Sequence, residues 1–253
     1  MSYSNGTLTD LAGRRALVTG ASGGLGLHFA TVLARHGAEV VLAARRADAI
    51  DALAAEIRRS GGAASALVLD VTGDDVAARI ESAGPFDILV NNAGITGTAP
   101  ALDMPTPEFS RIVDTNLIGL FAVAQAAARG MAEHGGGSIV NIASILGHRV
   151  AGQVAAYAAA KAAVVQLTKS LALEWARHDI RVNALSPGYI ETPLNAGFFA
   201  SAAGQALVRR IPQRRLGRSS DLDGPLLLLV SDAGGYMTGH SLVVDGGHLC
   251  SSL

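Results

Sequence analysis

Tyr157 and Lys161 stand four residues apart in the run Tyr157-Ala-Ala-Ala-Lys161, which opens a long alanine-rich segment predicted to be helical. At 3.6 residues per turn the two side chains share one face. The chain has four Tyr and only two Lys, Lys161 and Lys169, against eighteen Arg. Chance supplies about 0.03 such pairs at this composition, so the spacing carries information. A lysine brings a compact charge to a phenol or to a pair of ribose hydroxyls, which a planar guanidinium does not. A phenol titrates near about 10, and a cation a few ångströms away favours the phenolate and pulls the pKa toward neutrality. Tyr157 is therefore a candidate general acid/base, set against a plain reading in which Tyr packs inward and Lys is solvated.

A second set of residues suits phosphate binding. The apolar run Arg14–Thr19 ends in Thr19-Gly20-Ala-Ser-Gly-Gly24-Leu-Gly26, and a helical pattern follows. Strand, glycine-rich turn and helix is the context in which such a motif cradles a pyrophosphate at a helix N-terminus. Gly20 permits the tight turn, Gly24 lets backbone approach a phosphate, and Gly26 lets helix and strand pack closely.

These residues need a scaffold, and the chain supplies one by alternation. Glu39–Ala44 reads as strand, Ala47–Ser60 as helix, Ala64–Asp70 and Phe86–Val90 as strands, the last leading into Asn91-Asn92-Ala93-Gly94. A long helix over Glu108–His134 carries Asn116, Ser138–Ser144 forms a strand, and the Tyr157 helix runs to about Arg177. Ile180–Leu185 is a sixth strand, followed by an irregular stretch to Arg218, a helix over Asp221–Ser231 and a last strand over Ser241–Asp245. The pattern predicts an α/β fold: a three-layer, Rossmann-like, doubly wound parallel sheet of about seven strands with helices on both faces. Ligands of such sheets bind beyond the strand C-termini, where Gly20, Arg45, Asp70 and Asn92 fall. Asp70 either caps the next helix or contacts an adenine. The Asn116 and Tyr157 helices read as apolar almost all round, which predicts burial against the sheet on one side and against another subunit on the other.

No linker divides the 253 residues, so one domain is expected over 1–253, with a core over 11–247 and a substrate flap over about 189–218. Hydrophobic residues make up 49% and charged residues 16%, enough for a large core. No run is long enough to span a membrane, the first dozen residues lack a secretory pattern, and the lone Cys250 excludes an internal disulfide. A cytoplasmic protein is expected. The net charge of −1 gives no support to nucleic-acid binding. The seven His show no metal-ligand spacing.

Taken together, Thr19-Gly20-x-x-x-Gly24-x-Gly26, Asn91-Asn92-Ala93-Gly94, Asn116, Ser144, Tyr157-x-x-x-Lys161, Pro187-Gly188 and Val244-Asp245-Gly246-Gly247 resemble the short-chain dehydrogenases/reductases over residues 11–247. The resemblance implies an NAD(P)-dependent oxidoreductase moving hydride between a nicotinamide cofactor and a carbonyl or secondary alcohol. Tyr157 would exchange the proton, Ser144 hold the substrate oxygen, Lys161 bind the nicotinamide ribose and lower the Tyr157 pKa, and Asn116 support a proton-relay water. It further implies a dinucleotide site of Gly20, Ser22, Gly24, Leu25 and Gly26, then Arg45, Arg46, Asp70 and Val71, then Asn92, Ala93 and Gly94. Pro187, Gly188, Ile190 and Thr192 complete it, with Tyr157 and Lys161. A homotetramer is implied as well. Leu146, Tyr189, Leu194, Phe198 and Phe199, with Ser144, are expected to wall the substrate pocket. His148 is either a pocket residue or an ordinary loop histidine.

NADP(H) is expected over NAD(H). The second strand ends in Ala44 with no acid to bind both ribose hydroxyls, and Arg45 follows with Arg46 beside it. A guanidinium grips a 2′-phosphate by paired charge-assisted bonds, to which Ser22 can add a neutral one. The alternatives are a 3-oxoacyl-thioester reductase and, from another class, a cofactor-sensing binding protein without catalysis. Arg209, Arg210, Arg214, Arg215 and Arg218 either form a solvated face or meet an anionic substrate or carrier.

Overall fold

Seven parallel strands form one sheet in the computed structural model, which describes residues 8–192 and 196–251. They are β1 (Arg15–Thr19), β2 (Glu39–Ala44), β3 (Ala63–Val68), β4 (Ile88–Asn91), β5 (Gly137–Ile142), β6 (Ile180–Pro187) and β7 (Ser241–Val244). Their order across the sheet is β3-β2-β1-β4-β5-β6-β7. The winding reverses between β1 and β4, so a crevice opens beyond the C-terminal ends of those two strands.

The central strands carry apolar residues on both faces because both are covered. On one side α1 (Gly24–Arg35), α2 (Ala47–Arg59) and, further along the chain, the Asp223–Val230 helix bury Phe29, Leu33, Ile50, Leu226 and Leu229. On the other, α3 (Val76–Ala83) and two later helices bury Ile80, Val123, Met131 and Leu171. Each such side chain contributes roughly 1.5–3 kcal/mol of burial.

The remaining helices are α4 (Thr106–Val113), α5 (Leu120–Glu133), α6 (Ala155–Trp175), α7 (Ala196–Ala200), α8 (Ala202–Val208) and α9 (Asp223–Val230). The single helix expected over Glu108–His134 is in fact α4 and α5 joined through a π-helical turn, Asp114–Gly119. A π turn widens the helix locally and recurs at functional sites. The helix expected after Asp70 without bounds is α3, and the stretch expected to be irregular contains α7 and α8.

Neither long helix is apolar all round. Gln166, Lys169, Ser170 and Glu174 lie exposed on α6, so its outer face is mixed. Asp70 does not cap α3, whose N-cap position is Asp75. Instead the Asp70 carboxylate accepts from the Thr72 backbone N–H at 3.0 Å and from its hydroxyl at 2.8 Å, closing the turn after β3.

Candidate active site

Thr19 organises the crevice. Its hydroxyl oxygen accepts from the backbone N–H groups of Asn92 (2.9 Å) and Ala93 (3.0 Å), and its carbonyl accepts from Asn92 Nδ2 (3.0 Å). Asn91 Nδ2 donates to the Leu120 carbonyl at 2.7 Å, tying β4 to α5. Neither Thr19 nor Asn91 was among the expected site residues. The signal available was a Thr and an Asn at apolar strand ends, where a buried polar side chain must find partners.

Gly20 (φ +67°) and Gly24 (φ +55°) adopt backbone angles that side chains disfavour. A Cβ on Gly26 would overlap the Gly20 carbonyl oxygen, so helix and turn touch as expected. No heavy atom lies within 4 Å of where a Gly24 Cβ would stand. No side chain caps the α1 N-terminus, which suits its first N–H groups to a phosphate. Gly24 lines a cleft of ≈ 1230 Å³ together with Gly20, Arg45, Asp70, Gly94 and Thr192. Ser22, Arg46, Val71 and Ala93 also border it, while Leu25 packs against the core.

At the adenosine end the two arginines part company. Arg46 donates to the Ser22 carbonyl (2.8 Å) and hydroxyl (3.0 Å), lying over the glycine turn. Arg45 pairs with Asp70 at 3.8 Å. Ser22 therefore meets Arg46, although Arg45 was expected to carry most of the phosphate contact. The Asp70 carboxyl is held below its ordinary range by the Thr72 hydrogen bonds, with a smaller contribution from Arg45.

At the other end, Lys161 is buried and its ammonium donates to the Ile142 carbonyl at 2.7 Å. Burial lowers its pKa to about 8. The ammonium lies 5.6 Å from the centre of the Tyr157 ring. Burial pushes the Tyr157 phenol up, and the neighbouring Ser144 hydroxyl offsets part of that. The phenol is thus raised where a lowering by Lys161 was expected. The physical reason is desolvation: a dry site penalises phenolate and ammonium alike.

Asn116, in the π turn, is fully buried and reads the backbone of Ile95 twice, accepting from its N–H (2.9 Å) and donating to its carbonyl (2.7 Å). A Cβ on Gly94 would stand 2.6 Å from Asn116 Oδ1 and 3.7 Å from Lys161 Nζ, so these three residues form one cluster. Ser144 accepts from Leu146 N–H at 3.1 Å, capping the 3-10 turn Ile145–Gly147. Such an arrangement can hold a carbonyl oxygen between two hydroxyls and move a proton at one of them.

The segment after β6 closes the site. Gly188 N–H donates to Val244 O at 2.9 Å, and Ile190 bridges to Gly217. Pro187 is buried and Thr192 borders the cleft. Tyr189 packs edge-on to Phe199 (5.9 Å), which contacts the half-exposed Phe198 (5.1 Å). Leu194 lies outside the described residues. His148 turns to Ser241 (3.0 Å) and Ser186 (3.3 Å), pinning its loop to β6 and β7. Among the basic run, Arg215 is committed to Asp221 at 2.6 Å. No cluster of metal-ligating side chains exists among the described residues, and no helix there is long and apolar enough to cross a membrane.

A family model described as enoyl-(acyl carrier protein) reductase matches residues 20–248. The chain is 42% identical over 246 residues to gluconate 5-dehydrogenase of Gluconobacter oxydans (strain 621H), covering 95% of this chain and 96% of that protein. It is 38% identical over 244 residues to an NAD-dependent glycerol dehydrogenase of Listeria innocua serovar 6a, with 94% and 95% covered. Among solved structures, a gluconate 5-dehydrogenase from Burkholderia cenocepacia J2315, in complex with NADP and tartrate, matches with TM-score 0.93 at 40% identity, covering 96% of this chain and 98% of that one.

Proposed function

The chain belongs to the short-chain dehydrogenase/reductase family, and from that premise we propose an NADP(H)-preferring reductase of polyhydroxy ketones, or dehydrogenase of the matching alcohols, with Tyr157 as the proton-exchanging group. Its reaction class, hydride transfer between a nicotinamide cofactor and a CH–OH or C=O carbon, is that of its relatives.

The observation that carries the reading is the cluster of Asn116, Ser144, Tyr157 and Lys161 packed behind Gly94, which lines the same cleft as Arg45 and Arg46. Gly20, Gly24 and the α1 N-terminus would hold the pyrophosphate, with Asp70 and Val71 beside the adenine. Arg45 and Arg46, with Ser22, would hold a 2′-phosphate. Lys161 would hold ribose hydroxyls, and Ile190 and Thr192 the carboxamide. The cofactor supplies the hydride.

The chain's own residues do the rest. Ser144 donates to the substrate oxygen and fixes its position. Tyr157, protonated at neutral pH as any phenol is and more firmly so in its buried place, donates its proton to that oxygen as negative charge grows there. In the reverse direction the phenolate accepts the proton, helped by the Lys161 charge. Asn116, anchored by Ile95, holds the π turn open for a water that returns the proton to solvent.

A gluconate-like substrate is supported by the sugar-acid relatives. The acyl-thioester reading stands second, resting on the family model's description. The non-catalytic reading is set aside, because the relatives are oxidoreductases. An assembly through α5 and α6 is proposed from the exposed Ile118 (56%) and Leu173 (84%). The test is to follow cofactor absorbance with polyhydroxy acids, polyols and a 3-oxoacyl thioester, each with both nicotinamide cofactors. Turnover of the acids with NADP(H) supports the reading, and activity confined to the thioester removes it.

A further inference from the structure

Away from the dinucleotide cleft, three segments meet around one buried polar atom that has no partner: the turn after Ser144, Tyr189 just after β6 and the C-terminal turn His248–Cys250. His248 is 5% exposed, and its Nδ1 has no hydrogen-bond partner. A buried polar atom left unpaired costs stability unless something else fills its valence. The His248 ring lies 5.5 Å from that of Tyr189, tilted by 44°. Arg149 Nη1 donates to the His248 carbonyl at 2.7 Å. Among the described residues, Arg149 has no carboxylate in salt-bridge contact. A half-buried guanidinium normally has such a partner, because its charge is costly to desolvate alone.

We propose that Arg149 and His248 form an anion subsite that holds the carboxylate of an open-chain sugar acid while its reacting carbon lies at Ser144 and Tyr157. The inference rests on the dehydrogenase reading given above and names the substrate class of that same site.

The local backbone brings the two ends together. Gly147 N–H bonds to the Ser144 carbonyl (2.9 Å) and Arg149 N–H to the Ile145 carbonyl (3.0 Å), so Arg149 sits one compact turn beyond Ser144. That turn rests on α6 at Lys161, where a Gly147 Cβ would come within 2.7 Å of the Lys161 carbonyl. From there the Arg149 charge acts on both the Tyr189 phenol and the His248 ring. Burial, with Arg149 and Arg210 nearby, keeps His248 neutral against the opposing pull of Asp245. One guanidinium and one neutral imidazole match a carboxylate monoanion. The planar fork of Arg149 still has donors beyond the one spent on His248, and a carboxylate accepts them in pairs.

The test uses D-gluconate and its uncharged analogue D-glucitol as probes of the full chain loaded with NADP+. Calorimetric titration should show D-gluconate binding at least about tenfold tighter than D-glucitol. Arg149→Gln should cut gluconate affinity and kcat/KM about ten- to a hundredfold more than it cuts those for glucitol. Arg149→Lys should restore part of that selectivity. Both variants disturb the tether to His248, but only Lys keeps the charge, so equal losses on both probes or in both variants would reduce Arg149 to a tether and overturn the subsite. Glucitol turnover without gluconate preference would also overturn it while leaving the dehydrogenase reading standing. Gluconate binding that depends on the Arg149 charge, without turnover, would support the subsite and count against gluconate as the reacting alcohol.

Discussion

Lys161 places its ammonium 5.6 Å from the centre of the Tyr157 ring and spends one hydrogen bond, at 2.7 Å, on the Ile142 carbonyl. The charge is buried, and its pKa falls from 10.5 to about 8. An unfolded Lys keeps its proton to the higher value and the folded one only to the lower. Between the two the unfolded state binds more protons, so this group makes the fold more stable as pH rises from about 8 to 10.5. The difference is roughly 3 kcal/mol at about 1.4 kcal/mol per pKa unit. Lys161→Met should lack that gain, so urea denaturation should show the wild type gaining on the variant across this window. A stability gap that is the same at both ends would mean that the ammonium is not desolvated.

Arg46 lies on Ser22 and Arg45 on Asp70, so under the proposed reading the two arginines would approach a 2′-phosphate from different sides. A hydrogen bond to a charged group contributes about 1.5–3 kcal/mol, or about ten- to a hundredfold in affinity. Arg45→Ala and Arg46→Ala should each raise KM for NADPH on that scale and leave NADH kinetics nearly unchanged. The double variant should remove the preference. Equal use of both cofactors by the wild type would contradict the assignment.

Gly94→Ala should separate cofactor-site geometry from folding. The added methyl would stand 2.6 Å from Asn116 Oδ1, whose two bonds to Ile95 leave it little room to yield. Overpacking of this kind costs about 1–3 kcal/mol. We expect a folded variant with kcat reduced at least about tenfold, checked by circular dichroism alongside steady-state rates. Normal kcat would show that the Asn116 cluster is not needed.

Ile118, on the π turn beside Asn116, is 56% exposed, and an apolar side chain there suits a subunit contact. Ile118→Asp should shift sedimentation toward smaller species at micromolar concentration. A wild type that already sediments as a monomer would remove the proposed assembly.

Much of this was legible in the chain because alternation of apolar strands and amphipathic helices leaves few arrangements other than a doubly wound sheet. Gly20, Gly24 and Gly26 declared the turn, since backbone angles and close contacts restrict residue type. The π turn at Asp114–Gly119 was not legible, because a wider helical turn has the same apolar spacing as its flanks. The bounds of α3 were not legible because only Val76 and Ile80 of its residues are buried, too few to show a period. Arg45 was expected to work with Ser22 because it comes first after the strand, and only the path of the chain out of β2 shows that Arg46 is the one that reaches Ser22. Thr19 stood at the head of the glycine motif, but its bonds to Asn92 and Ala93 join segments far apart in sequence, as does the Arg149–His248 contact, so no local pattern marked those pairings.

The central claim is that the Tyr157 hydroxyl carries the proton. Tyr157→Phe keeps the ring against Lys161 and removes only that hydroxyl. The measurement is kcat for this variant beside its NADPH affinity from fluorescence titration. The account predicts a loss of at least about a thousandfold in kcat, within the range of general acid–base catalysis, with NADPH affinity within about threefold of the wild type. A variant that keeps most of its kcat would contradict it.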